Sequence, residues 1–294
     1  MSKDSEWIMT TSPAVPLGSL EETDKLLHKF EIDNIPGEYR AYYGIKRNNF
    51  FASIQGFPEM WQYYLRLDAI WMREFADLQN ARDASRMFPL LLYFNAHAKM
   101  RVAMELGLSG CMAEARSILR DAIEFVAHAH TMISDPELQK TWLSKNDGNA
   151  PLEEFKNAFE RQKKAGVFKG LNELHKTWGE LSETGSHANM NAMVDRFVQM
   201  TADDHIEFRL NYTGPEDHKL WALGLFAMLL TCSTMEQTFF SDYEVRLKLD
   251  NDLMCMRGEF DRYKEQLRQT LINRYNVEPP RGIFPAPRST IYRP

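Results

Sequence analysis

The sequence predicts an all-α, mainly helical protein: a multi-helix bundle with one small β-hairpin near residues 194–212. Three observations carry that reading. Apolar residues recur at helical spacing from Ser19 to Tyr275. Capping and breaking residues bracket those stretches. The period changes once, where Ile206, Phe208, Leu210 and Tyr212 alternate with polar residues, as in a half-buried strand.

Residues 1–18 hold Pro13, Pro16 and Gly18 and predict an extended arm. Ser19 with Glu22 is a capping box, so a helix should start there and run toward Phe30. Pro36 and Gly37 interrupt it, and a second helix is expected over Tyr39–Ile54. Gly56-Phe-Pro58 opens a long helix whose apolar stripe reads Trp61, Tyr64, Leu65, Trp71, Met72, Phe75 and Leu78, with Asp68 at one position of the stripe. Met87–Leu106 is the next helix, ended by Gly107 and Gly110, with His97 among its apolar residues.

Cys111–Ile133 predicts an amphipathic helix covered over about half its circumference by Ala115, Ile118, Leu119, Ala122, Ile123, Val126, Ala129 and Ile133. Ser134-Asp-Pro-Glu137 ends it and caps a short helix through Leu143. The loop from Asn146 to Pro151 is a candidate subdomain boundary. Helices over Leu152–Lys164 and Gly170–Glu183 follow, the second burying Leu171, Leu174, Trp178 and Leu181 and ending at Gly185. In the hairpin, Val194–Thr201 is the partner strand and Ala202–His205 the turn. After Pro215 a helix should run toward Leu249, and another from Asp252 to Tyr275. The tail, with five prolines from Pro279 to Pro294, should be extended. The expected organisation is thus an arm over 1–18, a single helical domain over 19–276 with its core at 88–249, and a tail over 277–294.

Composition narrows the classes. With 44% hydrophobic and 12% aromatic residues, the chain can bury a sizeable core. Its formal charge of -6 does not favour broad electrostatic capture of nucleic acid, although a local basic patch is compatible with it. Cys111, Cys232 and Cys255 form no C-x-x-C pair, so neither a disulfide framework nor a zinc knuckle is indicated, and a cytoplasmic location is expected. The first 17 residues lack the apolar run of a signal peptide. The most apolar run, Leu220–Cys232, is too short for a bilayer and predicts a buried core helix, with no membrane as partner.

Two motifs hold most of the candidate chemistry. The first is Glu114-Ala-x-x-Ile-Leu-Arg120-x-x-x-Glu124; the second is Leu181-Ser182-Glu183-x-x-x-His187. Arg116, Arg120, Glu124 and His128 are spaced four apart and form one slanting row. That row is either a charged site, with guanidinium groups for an anion and Glu124 or His128 for a proton, or a solvated polar face. Ser182 lies at the edge of its helix's apolar stripe. If that corner packs over the first row, Arg120, Glu124, Ser182 and His187 form one polar cluster, either structural or catalytic. Asp68 and His97 are the unexpected polar residues on apolar stripes. Asp68 contacts a ligand, sits in a buried ion pair, or marks a stripe that reaches the surface; His97 reads as a satisfied core histidine. No H-E-x-x-H, paired E-x-x-H or glycine-rich phosphate loop occurs, so neither metal nor cofactor is expected.

Together the two motifs resemble those of uncharacterised bacterial all-helical proteins related to the HEPN fold (higher eukaryotes and prokaryotes nucleotide-binding). The resemblance covers roughly residues 88–215 and implies a HEPN-like helical core. Active ribonucleases of that superfamily have an arginine, then four to six residues, then a histidine on one helix. Here the nearest match, Arg120 to His128, has seven residues between. That departure weighs against metal-independent RNA cleavage. The expected function is therefore a non-catalytic, homo-oligomerising module that binds a protein partner, in a stress, defence or toxin–antitoxin setting as the resemblance implies. The alternative is a divergent nucleotide- or RNA-binding enzyme using Arg116, Arg120, Glu124, Ser182 and His187.

Overall fold

Local capping and apolar spacing produce nine α-helices among the described residues of a computed structural model. Those residues are 36–78, 84–161, 166–183, 197–201, 206–210 and 218–276. The arm, the helix expected from Ser19, the hairpin's turn and the proline-rich tail lie outside them. The helices are α1 (Gly37–Gly56), α2 (Pro58–Leu78), α3 (Ala84–Leu108), α4 (Met112–Ser134), α5 (Glu137–Leu143), α6 (Asn149–Phe155), α7 (Asn172–Leu181), α8 (His218–Tyr243) and α9 (Asn251–Tyr275). β1 (Phe197–Thr201) and β2 (Ile206–Leu210) pair antiparallel, with Phe197 opposite Leu210 and Thr201 opposite Ile206. The change of period in the sequence is thus a change of structure.

The chain divides into two compact units, Met1–Ile45 and Lys46–Pro294. The loop from Asn146 to Pro151 is internal to the second and separates nothing. In the first unit the described residues are the start of α1, where Tyr39, Tyr42, Tyr43 and Ile45 are all exposed. In the second unit, the remainder of α1 is tied to α3 where Ser53 Oγ donates to the Leu108 carbonyl at 2.6 Å.

The core of the second unit is built around α8. Its run Ala222–Leu229 is buried on every side, as are Cys232, Met235 and Phe239. A helix apolar all round must be enclosed by neighbours. Here α2, α3, α4 and α7 enclose it, while α3 and α4 form the most extensive helix pair and α9 lies on α2. Among the described residues no helix is long and apolar enough to cross a membrane.

Several boundaries differ from the sequence expectation for physical reasons. Gly107 does not end α3. A Cβ there would meet Leu225 Cδ2 at 3.1 Å and Met228 Sδ at 3.2 Å, so the glycine lets α3 approach α8 closely. The helix stops instead before Gly110, whose φ is +84°. In α2 the buried set is Met60, Tyr63, Tyr64, Leu67, Ile70, Trp71, Glu74, Phe75 and Leu78, whereas Leu65 and Met72 are exposed. The helix is so rich in apolar residues that two neighbouring stripes satisfy the same spacing, and only the partner helices choose between them. The helix expected over Leu152–Lys164 is α-helical only to Phe155. It then widens into a π-helical turn over Lys156–Glu160. The last long helix is capped at both ends by residues the sequence reading did not single out. Asp250 Oδ1 accepts from the Leu253 amide at 3.0 Å, and Asn276 closes the far end in the left-handed conformation.

Candidate functional site

The two motifs meet at the corner of α4 and α7. Residues four apart on α4 stack along one side, and Ser182 follows Trp178 by one turn at the end of α7. Arg120 Nε donates to Ser182 Oγ at 2.9 Å, and Ser182 Oγ donates onward to the Trp178 carbonyl at 2.7 Å. One Arg120 terminal nitrogen lies 3.2 Å from an Asp121 carboxylate oxygen and 3.4 Å from one of Glu124. The guanidinium carbon stands 4.8 Å from the centre of the Trp178 ring, within cation–π range. The Arg120 side chain is 19% exposed and that of Glu124 27%. Ser182 and Arg116 are buried.

Arg116, Arg120 and Glu124 therefore do not form a solvated face, because α7 covers that arc of α4. His128 continues the row in sequence but turns to other partners. Its Nδ1 accepts from Trp142 Nε1 at 3.2 Å, and its ring lies 4.9 Å from that of Phe159. His187 lies outside the described residues. The corner thus unites Arg120, Glu124 and Ser182, with Arg116 one turn away and His128 elsewhere.

Asp68 and His97 belong to one cluster between α2 and α3. His97 Nε2 is 2.8 Å from Asp68 Oδ1. Arg101 closes a fork on the same carboxylate, with Nε at 2.7 Å from Oδ1 and a terminal nitrogen at 2.8 Å from Oδ2. Burial alone would raise the Asp68 carboxyl. The hydrogen bonds from His97 and Arg101 outweigh it and bring the carboxyl down to about 2. The His97 ring is buried against Trp71 and Phe75, at 5.1 and 5.4 Å between centres. Of the readings open for these two residues, the geometry gives a half-buried ion pair that reaches the surface at Arg101, and a satisfied core histidine.

Sequence reasoning missed two further clusters. Glu74 on α2 and Glu236 on α8 are both buried, and one Arg257 nitrogen from α9 bonds to both. Burial raises both carboxyls. The neighbouring Glu236 pushes Glu74 further up, against the pull of Arg257. Two buried acids that share one cation are both held toward their protonated forms. A signal existed, because Glu236 is the single charged residue between Leu220 and Ser241 on an otherwise apolar helix.

The other missed cluster is Tyr93, Asp242 and His130, from α3, α8 and α4. Tyr93 Oη donates to Asp242 Oδ2 at 2.5 Å, and His130 Nδ1 lies 2.9 Å from Oδ1. The buried Tyr93 hydroxyl is driven well up, first by burial and then by the adjacent Asp242 charge. Neither Asp242 nor His130 stood out in sequence, because each ends or interrupts an ordinary amphipathic pattern.

Chemically, the Arg120 corner presents charged groups already engaged with one another. The Asp68 cluster is an ion pair open to solvent at Arg101. The Glu74 pair is buried and shares the one cation Arg257. Among the described residues, no group of three or more His, Cys, Asp or Glu side chains is disposed to hold a metal ion. No family model matches the chain, and no curated protein or solved structure matches it.

Proposed function

We propose that this protein is a non-catalytic helical module that dimerises and binds a protein partner. The observation that supports this is the exposed aromatic face at the start of α1. Tyr39 and Tyr43 are each 58% exposed and Tyr42 is 37% exposed. At i, i+3 and i+4 they share one side of the helix. A helix that buries so little of itself is marginal alone in water, and large aromatic side chains are the anchors of protein interfaces.

A second support is the Arg120 corner. Its groups bond to each other, as expected of a network that fixes the angle between two helices. The HEPN-related affiliation, with its stress, defence or toxin–antitoxin setting and cytoplasmic location, belongs to the same proposal. It draws support from the meeting of the two motifs at Arg120 and Ser182. The alternative, a nucleotide- or RNA-cleaving enzyme, gains nothing from Arg120 and His128, which serve different partners.

The test is sedimentation of the full chain at micromolar concentration, beside the double variant Tyr39→Ser, Tyr43→Ser. A concentration-dependent dimer is expected, weakened by on the order of ten-fold or more in the variant. A wild-type chain that stays monomeric throughout removes the dimer. A dimer unaffected by the substitutions removes the α1 face.

A further inference from the structure

His130 borders a cleft of about 520 Å³, bounded by the start of α7 and by the α8 face that carries Thr234, Gln237, Thr238 and Ser241. The cleft is separate from the Arg120 corner and from the α1 face. One wall is fixed by Thr131, whose hydroxyl donates to the Val167 carbonyl at 2.9 Å and holds the segment before α7 against α4. Gly170 has a φ of +84°, a conformation that suits glycine, and a Cβ there would come within 3.9 Å of His130 Nε2. The glycine thus keeps the space beside that nitrogen open.

Hydrogen bonding sets the state of the imidazole. Asp242 receives the Tyr93 hydroxyl on one oxygen and faces His130 Nδ1 with the other. A carboxylate only accepts, so Nδ1 carries a proton, and in the neutral form of the ring it is the unprotonated Nε2 that borders the cleft. The α8 wall is also disposed to accept. Thr234 Oγ1 donates back to the Leu230 carbonyl and Thr238 Oγ1 to the Thr234 carbonyl, which leaves their lone pairs for a ligand. Among the described residues, no lysine or arginine lines the cleft. Glu173 brings a negative charge into the first turn of α7, offsetting the attraction of that helix end for anions.

From this arrangement we propose that the cleft is a binding site for a small alkylamine, whose ammonium donates to His130 Nε2 and the threonine oxygens. Among the described residues, Asp242 from α8 bonds to His130, Tyr93 from α3 bonds to that carboxylate, and Glu173 from α7 lines the same cleft. Asp242 holds the ring, Tyr93 holds Asp242, and Glu173 attracts the cation. Protonation of Nε2 turns an acceptor into a like charge, so the imidazolium form binds the amine less tightly.

The test uses the full chain labelled with nitrogen-15, with imidazole resonances followed by NMR. The probe is 1,4-diaminobutane, with succinate and 1,4-butanediol as controls. A saturable shift of the His130 Nε2 resonance is expected with the diamine at pH 8 and not at pH 5. His130→Gln and Thr238→Val should each weaken diamine binding, read by calorimetry, by on the order of ten-fold. Thr238→Val is nearly isosteric and retains the imidazole, so it keeps the test valid if the histidine variant folds poorly. The proposal is overturned if the diamine causes no shift. It also fails if succinate or the diol binds as well, if binding is equal at both pH values, or if Thr238→Val binds like wild type.

Discussion

Asp68 and Glu74 lie on the same helix, and burial pushes both carboxyls upward, yet they end on opposite sides of the ordinary carboxylate range. Asp68 is one acid served by two donors, His97 and Arg101. Glu74 shares the single cation Arg257 with a second acid, Glu236. The direction is therefore set by the ratio of donors to acids around the group, with burial as the common opposing cause.

The two regions have opposite pH dependence. The Asp68 carboxyl is lower when folded, so its contribution is present above its ordinary 3.8 and lost as pH falls toward about 2. The Glu74 and Glu236 carboxyls are higher when folded. Their favourable, protonated state is complete below the ordinary 4.5 and is lost as pH rises through the elevated folded values.

The largest expected effect comes from removing the shared cation. Arg257→Met leaves two buried acids facing each other and should destabilise the fold by about 3–5 kcal/mol at pH 8. Urea unfolding at pH 8 and pH 5 tests this, because protonation at the lower pH relieves part of the loss. An equal loss at both would mean that the acids are not the reason for it.

Asp68→Asn removes the opposite case. It strips a fork-bound carboxylate from Arg101 and the buried His97, and should cost about 2 kcal/mol at pH 7. The difference from wild type should shrink as pH falls from 3.8 toward about 2, since wild type loses its own carboxylate there. A thermal-melt series over that range checks it, and a constant gap would mean that Asp68 acts through shape alone.

The Arg120 corner falls between the two regions, because its acids keep partial contact with water. Arg120→Ala should cost about 1–2 kcal/mol, from the lost Ser182 hydrogen bond and the Trp178 contact. Ser182→Ala should cost less, because it leaves the ring contact intact. Chemical denaturation of the pair ranks them, and a reversed order would place the weight of the corner on the Ser182–Trp178 turn.

The smallest effect sharpens the comparison most. Glu74→Gln removes one of the two competing acids while keeping the shape, so at pH 8 stability should change by less than about 1 kcal/mol, in either direction. A loss as large as that of Arg257→Met would show Glu74 to be an ordinary paired carboxylate.

Much of the secondary structure was legible because helices announce themselves locally. Pro58 opens α2, and the alternation at Ile206–Leu210 marks a strand. The proximity of Arg120 to Ser182 was expected from the two motifs and is present at 2.9 Å. The partly misplaced stripe on α2 had a different origin. Tyr64, Trp71, Phe75 and Leu78 are buried as expected, but Met60, Tyr63 and Leu67 satisfy helical spacing as well as Leu65 and Met72 do, and no single-helix pattern separates them.

By itself, the sequence determined which segments are helical, where the hairpin lies, and that α8 is enclosed. Each of these follows from spacing or capping within a few turns of chain. Tertiary structure decided which face of α2 is inside, that Arg257 reaches a carboxylate 183 positions earlier, and that Asp242 aims His130 at a cleft. Those outcomes depend on the angles at which helices cross. The angles are set by packing of side chains from several elements at once, and not by the period of any one of them.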